Sequence, residues 1–265
     1  MSKNYQSLSK GFDVPLGTEA PVFEGKTVTL MGLGGYKTGS GVAAALFLLP
    51  RVKKLIITDT KAHNELRAQI KIVEESVSLR HNGKKIAPEI VWHMGGHKKE
   101  DFVNTDWVIR NPDVPYYSRY LAIARRAGVP IDNDVTLFLK LHGVKNILAV
   151  TGTRGKTTTT KLLYEMVHAW KSKTFIAGNV GYSPLLEPAW AAPARPGVFE
   201  LSSFMLNDFG AQKISPHISV VTNIFPDHLN KYKGMTDYMA DKKNIYFNQK
   251  RGDFVLFNSD NKIVK

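Results

Sequence analysis

The chain has 265 residues, a formal net charge of +13, a hydrophobic fraction of 43%, a charged fraction of 22% and no cysteine. That length suffices for two α/β domains with buried cores, and the composition is that of a globular chain rather than a disordered one. Without cysteine there is no disulfide framework or thiolate metal site, and the longest apolar run, residues 42–49, is too short to cross a bilayer.

Residues 1–25 are polar and mixed, without the apolar segment of a secretory leader, so a cytoplasmic protein is expected. The positive charges are scattered, as in Lys53-Lys54, Lys84-Lys85, Lys98-Lys99, Arg125-Arg126 and Lys242-Lys243. They form no basic tail or basic helix and read as solvated surface, so neither a nucleic-acid nor a membrane partner is expected.

In chain order, residues 27–31 (TVTLM) read as a strand, followed by glycines and a helix over 40–49. Residues 54–58 form the next strand, ending at Asp59, and 65–77 have helical spacing. Strands at 89–93 and 106–110 and helices at 117–127 and 134–141 follow. A second series opens at Asn146: a strand at 147–150, a helix at 156–170, strands at 174–177, 197–201 and 218–223, a helix at 235–248 and a strand at 253–258. Such alternation predicts parallel, doubly wound sheets. The expected organisation is a Rossmann-like domain over 1–145 and a P-loop NTPase-like domain over 146–265. A chain that stops just after a strand suggests that the second domain is incomplete.

The strand at 147–150 runs into Thr151-Gly152-Thr153-Arg154-Gly155-Lys156-Thr157-Thr158. Backbone N–H groups at such a turn cradle phosphates, and the helix that follows favours their charge. Lys156 reaches the β/γ-phosphates in this pattern and the Thr157 hydroxyl suits Mg²⁺. The common loop carries glycine where Val150 stands; the usable glycine is Gly152, so this is a shortened variant.

Three further positions matter only through that context. Glu200 ends a strand of the same domain, where a carboxylate suits Mg²⁺, although alone it reads as a charged strand end. Asp227 and His228 follow another strand and Pro226, at the sheet edge where ligands of open α/β sheets bind. A lone histidine is more often structural, and Lys242, inside a helical pattern, reads first as solvated surface. The glycine-bracketed Asn179 is weaker still and is equally a plain loop residue.

Taken together, these segments resemble the Mur ligases, whose loop reads Gly-[Thr/Ser]-Asn-Gly-Lys-[Thr/Ser]-[Thr/Ser]; only Arg154 departs from it. Glu200-Leu-Ser-Ser-Phe-Met-Leu206, Asn223 to Tyr232 and Ala240 to Gln249 resemble motifs of the branch that adds D-glutamate. Arg110-Asn-Pro-Asp-Val-Pro115 resembles its Lys-Asn-Pro-Gly-[Ile/Val]-Pro turn, and Asp59-Thr60-Lys61 stands where that branch contacts a uridine nucleotide. The resemblance implies an ATP-dependent amide ligase of peptidoglycan precursor synthesis, acting on UDP-N-acetylmuramoyl-L-alanine and D-glutamate through an acyl phosphate, as a monomer.

It also implies roles. Gly152, Thr153, Arg154, Gly155, Lys156, Thr157 and Thr158 would hold ATP. Thr157, Glu200, His228 and a carbamylated Lys242 would serve Mg²⁺, with Lys156, His228 and Lys242 catalytic. Asp59, Thr60, Lys61, Asn111, Asn179 and Ser202 would face the muramoyl nucleotide. Two departures stand out: Met205 replaces a glutamine and Asp113 a glycine. The family's third, C-terminal domain has no counterpart in the sequence, so a fragment with little ligase activity of its own is expected. Rival readings are another Mur or folylpolyglutamate-type ligase, and a nucleotide-binding protein without turnover. A Rossmann dehydrogenase is disfavoured, because Gly32-Leu-Gly-Gly-Tyr-Lys-Thr-Gly39 is not a nicotinamide fingerprint and Lys156-Thr157 would have no role.

Overall fold

A computed structural model describes residues 23–81, 88–187 and 195–265, with no side chains described for 78–81. Most of the polar N-terminal stretch and the Lys84-Lys85 pair lie outside them. The chain forms two compact units, Met1–Asp134 and Val135–Lys265.

The first unit is a five-stranded parallel sheet in the order β3-β2-β1-β4-β5. Its strands are β1 (Thr27–Met31), β2 (Lys54–Asp59), β3 (Glu89–Met94), β4 (Trp107–Arg110) and β5 (Ile131–Asp132). β1 and β2 are buried at nearly every position, as expected of central parallel strands covered on both faces. Three helices connect them: α1 (Ser40–Leu48), α2 (Arg67–His81) and α3 (Arg119–Arg126). α1 is apolar on all sides and almost wholly buried, the pattern of a core helix rather than a surface one. Gly41 lets it press on the glycine loop after β1; a Cβ there would run into the carbonyl oxygens of Gly32 and Leu33.

Helix α4 (Asp134–His142) lies just before the expected boundary at 145/146. Phe138 lies 5.6 Å from Phe175 and 5.7 Å from Phe199, and His142 stacks on Phe138 at 4.9 Å. Those aromatic contacts tie α4 to the second unit, so the division falls at Asp134/Val135.

The second unit is again parallel, in the order β10-β9-β6-β8-β7. Its strands are β6 (Ile147–Thr151), β7 (Phe175–Gly178), β8 (Gly197–Glu200), β9 (Ile218–Val221) and β10 (Phe254–Phe257). Helices α5 (Lys156–Trp170), α6 (Ser203–Gln212) and α7 (Met235–Phe247) complete it. β6 is central, so the loops after β6, β8 and β9 emerge side by side at the carboxyl edge. The sequence reading missed β5, which is two residues long, and α6. Asn207, Asp208 and Gly210 are poor helix formers, but the buried Met205, Leu206 and Phe209 hold α6 in place.

Candidate active site

The loop between β6 and α5 is fixed by long-range bonds rather than by its own turn. Gly152 has φ +151°, and a Cβ there would strike the Thr222 hydroxyl. Thr153 N–H donates to the Asn223 carbonyl at 2.8 Å. The Asn223 side chain grips the next residue twice. Its Oδ1 accepts from Arg154 N–H at 2.9 Å and its Nδ2 donates to Arg154 O at 3.1 Å. The Thr222 hydroxyl adds a third bond to Arg154 O at 2.7 Å. Gly155, at φ +77°, then caps α5. The first turn of α5, with Lys156, Thr157 and Thr158, presents N–H groups that have no partner within the helix, at its positive end. Lys156 Nζ lies over the loop, donating to Thr153 O at 3.1 Å.

Glu200 stands beneath this turn, almost fully buried. Thr157 Oγ1 donates to its Oε2 at 2.7 Å, and Asn179 Nδ2 donates to its Oε1 at 2.7 Å. The sheet creates this cluster: Val150 is paired with Glu200, and Gly178 with Glu200 from the other side. A hydroxyl and a carboxylate are hard oxygen donors, the set that suits Mg²⁺ when phosphate oxygens and waters complete its shell. Among the described residues no group of three or more His, Asp or Glu could hold a metal by itself.

Lys242 is not solvated surface: it is 2% exposed. Its Nζ donates to Gly152 O at 2.9 Å, lies 3.5 Å from Thr151 Oγ1 and sits 4.8 Å from the centre of the Tyr238 ring. Burial, then the nearby Lys156 charge, pulls its pKa down to about 7, against the pull of Asp227 and Asp241. Tyr238 is itself buried, with its hydroxyl 3.0 Å from that of Thr153, and burial raises its pKa.

His228 is exposed and adopts φ +52°, a conformation uncommon outside glycine. Its N–H donates to Asp227 Oδ1 at 2.9 Å, and its ring borders Phe204 at 5.2 Å and Tyr238 at 6.5 Å. No hydrogen bond or ion pair joins it to Thr157 or Glu200 among the described residues. Ser202 has a local duty: it is the N-cap of α6, accepting from Met205 N–H at 3.3 Å, which leaves its hydroxyl proton to give. Met205 is buried within α6, so its loss of polarity relative to glutamine is matched by packing. Asn223 and Tyr238 have no role in the sequence reading, although Asn223 opens one of the quoted motifs and Tyr238 stands two residues before another.

In the first unit, the glycine loop after β1 is held by Asp59. Its Oδ2 accepts from Leu33 N–H at 2.8 Å and Gly34 N–H at 3.4 Å, and its Oδ1 accepts from Lys61 N–H at 2.9 Å. Asn111 packs under the same loop, where a Cβ on Gly34 would lie 2.6 Å from its Nδ2. Lys61 Nζ lies 3.5 Å from where a Cβ on Gly35 would stand, and Thr60 is exposed beside it. These predicted residues converge on one edge. The turn carrying Asp113 closes through Asp113 N–H to Asn111 Oδ1 at 3.0 Å, without a positive φ, so aspartate fits where the family carries glycine.

Residues 150–265 match the Mur ligase middle domain. The chain is 38% identical over 241 residues to the UDP-N-acetylmuramoylalanine–D-glutamate ligase of Roseiflexus sp. (strain RS-1), covering 91% of this chain and 48% of that protein. The enzyme of the same name from Treponema pallidum (strain Nichols) is 36% identical over 251 residues, covering 90% and 44%. The chain thus spans about half the length of the curated relatives it matches. Among solved structures, the UDP-N-acetylmuramate:L-alanyl-gamma-D-glutamyl-meso-diaminopimelate ligase from Neisseria meningitides shares the fold. Its TM-score is 0.54 at 16% identity, over 90% of this chain and 72% of that one.

Proposed function

We propose that this chain, whose residues 150–265 match the Mur ligase middle domain, serves an ATP-dependent ligase joining D-glutamate to UDP-N-acetylmuramoyl-L-alanine. The observation that carries this reading is the Thr157–Glu200–Asn179 cluster seated under a shortened phosphate loop, with the buried Lys242 against that loop from α7. A loop for nucleotide binding alone has no use for a buried lysine amine pressed on Gly152.

In this reading the second unit binds ATP and the first the uridine nucleotide. The α5 N–H groups and Lys156 hold the phosphates, and Thr157 and Glu200 hold Mg²⁺. That ion, when bound, neutralises charge on the transferring phosphoryl group. Asn179 orients the Glu200 carboxylate, and Ser202 has one proton to offer the muramoyl substrate. Lys242, with its pKa near 7, is substantially neutral at physiological pH. The neutral amine is the form that adds CO₂, which would turn a buried cation into a metal-binding carboxylate. His228, on its strained backbone beside Asp227, is the candidate for a second Mg²⁺. Asp59, Thr60, Lys61 and Asn111 serve the uridine end. A cytoplasmic monomer fits a reaction on soluble nucleotides, and no helix among the described residues is long and apolar enough to cross a membrane.

The test is phosphate release from ATP by a protein of the length of the curated relatives, of which this chain spans about half. It should require UDP-N-acetylmuramoyl-L-alanine and D-glutamate together; equal turnover with L-lysine or diaminopimelate rejects the D-glutamate assignment. If the chain binds ATP and does not bind the muramoyl nucleotide, the reading falls to a nucleotide-binding protein without this activity.

A further inference from the structure

We propose that His97, which the sequence reading passed over, is the positioning residue of the uridine-facing edge in the first unit. This inference rests on the uridine assignment of Asp59, Thr60 and Lys61 and deepens it. His97 follows the Gly95-Gly96 turn at the end of β3. That turn ties down the main chain of the recognition segment: Gly95 N–H donates to Lys61 O at 2.8 Å, and Gly96 N–H donates to Asp59 O at 3.0 Å. His97 Nδ1 lies 2.8 Å from Thr58 Oγ1, one residue before Asp59. Its ring is wedged edge-on against Tyr120 at 5.0 Å and Phe102 at 5.9 Å, and its carbonyl accepts from the Tyr120 hydroxyl at 2.8 Å.

The side chain is therefore held on three sides and spends Nδ1 on the strand that delivers Asp59. Asp59 in turn spends its carboxylate on the glycine loop through Leu33 and Gly34. The two links form a chain from β3 through β2 to the loop after β1. His97 sets the register of residues 59–61 against that loop without touching the ligand.

Two variants separate the hydrogen bond from the packing. His97→Phe keeps a ring and loses Nδ1; His97→Asn loses the ring and keeps a polar atom near the Nδ1 position. UDP is the probe, titrated into the 265-residue chain, alongside backbone hydrogen exchange of the unliganded protein. His97→Phe is expected to weaken UDP about tenfold, the loss of one positioning hydrogen bond. It should also speed exchange at Leu33, Lys61, Gly95 and Gly96, and leave ATP affinity unchanged. His97→Asn should recover most of the UDP affinity. Wild-type UDP affinity and unchanged exchange in His97→Phe overturn the proposal, as does a His97→Asn variant as weak as His97→Phe. A wild-type chain that ignores UDP, while exchange at those four amides still responds to His97→Phe, removes the uridine assignment and supports the clamp.

Discussion

The two units place a glycine loop after the central strand of a parallel sheet, and each loop meets a carboxylate, yet they use it in opposite ways. In the first unit Asp59 accepts directly from the loop amides of Leu33 and Gly34. In the second the loop amides of Thr153 and Arg154 go to the neutral oxygens of Asn223, and Glu200 is engaged by side chains instead. An anion already bonded to loop amides opposes a second anion there. A neutral acceptor leaves the positive field of the helix start, and Lys156, available to phosphates. The shared topology offers the same carboxyl edge, where ligands of open α/β sheets bind, in both units. On the proposed reading, the acceptor chosen for the loop N–H groups is what separates a triphosphate site in the second unit from a uridine site in the first.

The largest expected effect breaks only one side of this comparison. Lys156→Ala should weaken Mg·ATP by roughly 100-fold, the scale of losing a charge-assisted phosphate contact, and leave UDP affinity intact. Calorimetric titration of both nucleotides checks it; unchanged ATP affinity removes the phosphate-loop assignment. A matched pair of glycine variants comes next. Gly152→Ala forces a side chain into φ +151° against Thr222, and Gly34→Ala forces one into φ +81° against Asn111. Each strain costs on the order of 1–3 kcal/mol. Each should weaken its own unit's nucleotide about tenfold, ATP for the first and UDP for the second. Crossed effects would mean that the units do not bind separately.

Asp59→Asn sharpens the comparison at a smaller scale. Asparagine offers one acceptor oxygen where the carboxylate offers two, so one of the amides of Leu33 and Lys61 loses its partner. An unsatisfied buried donor costs about 1–3 kcal/mol. UDP affinity should fall severalfold and the melting temperature by a few degrees, with ATP affinity unchanged. A UDP affinity that rises instead would show that the carboxylate repels the ligand's own charge.

Local pattern carried much of this architecture. The strand, glycine turn and helix around Lys156 are written within 24 consecutive residues of β6, loop and α5 (Ile147–Trp170), and each signal there is a neighbour effect. What was not legible depends on residues far apart in the chain. The Asn223 grip on Arg154 spans 69 positions, and His97 meets Thr58 across 39. No periodicity in one segment encodes a partner in another. The packing of α4 is of the same kind, because Phe138 and His142 find their neighbours only once β7 and β8 are in place. Lys242 shows the strongest reversal: a lysine in a helix reads as solvated, and only packing of α7 on the loop after β6 buries it.

That buried lysine yields the smallest prediction, a pH dependence of stability. Its pKa is about 7 in the folded chain, against the ordinary 10.5 once unfolded. Between those values the unfolded state binds more protons, so stability rises with pH across that window. Below about 7 both states carry the proton and the cost of burying it is fully present; above 10.5 both are neutral and it vanishes. Lys242→Met removes the titrating group, with a loss of its bonds to Gly152 and Thr151 that partly offsets the gain. The melting temperature of the variant minus that of the wild type should therefore be more positive at pH 6 than at pH 10. The lost bonds act at both pH values and cancel in that comparison, so a pH-dependent gain of about 1–2 kcal/mol corresponds to a change of roughly 2–8 °C for a chain of this size. Thermal melts in CO₂-free buffer measure it. Parallel curves for the two proteins across that range would mean that Lys242 keeps its proton when folded, and would withdraw the neutral amine on which carbamylation depends.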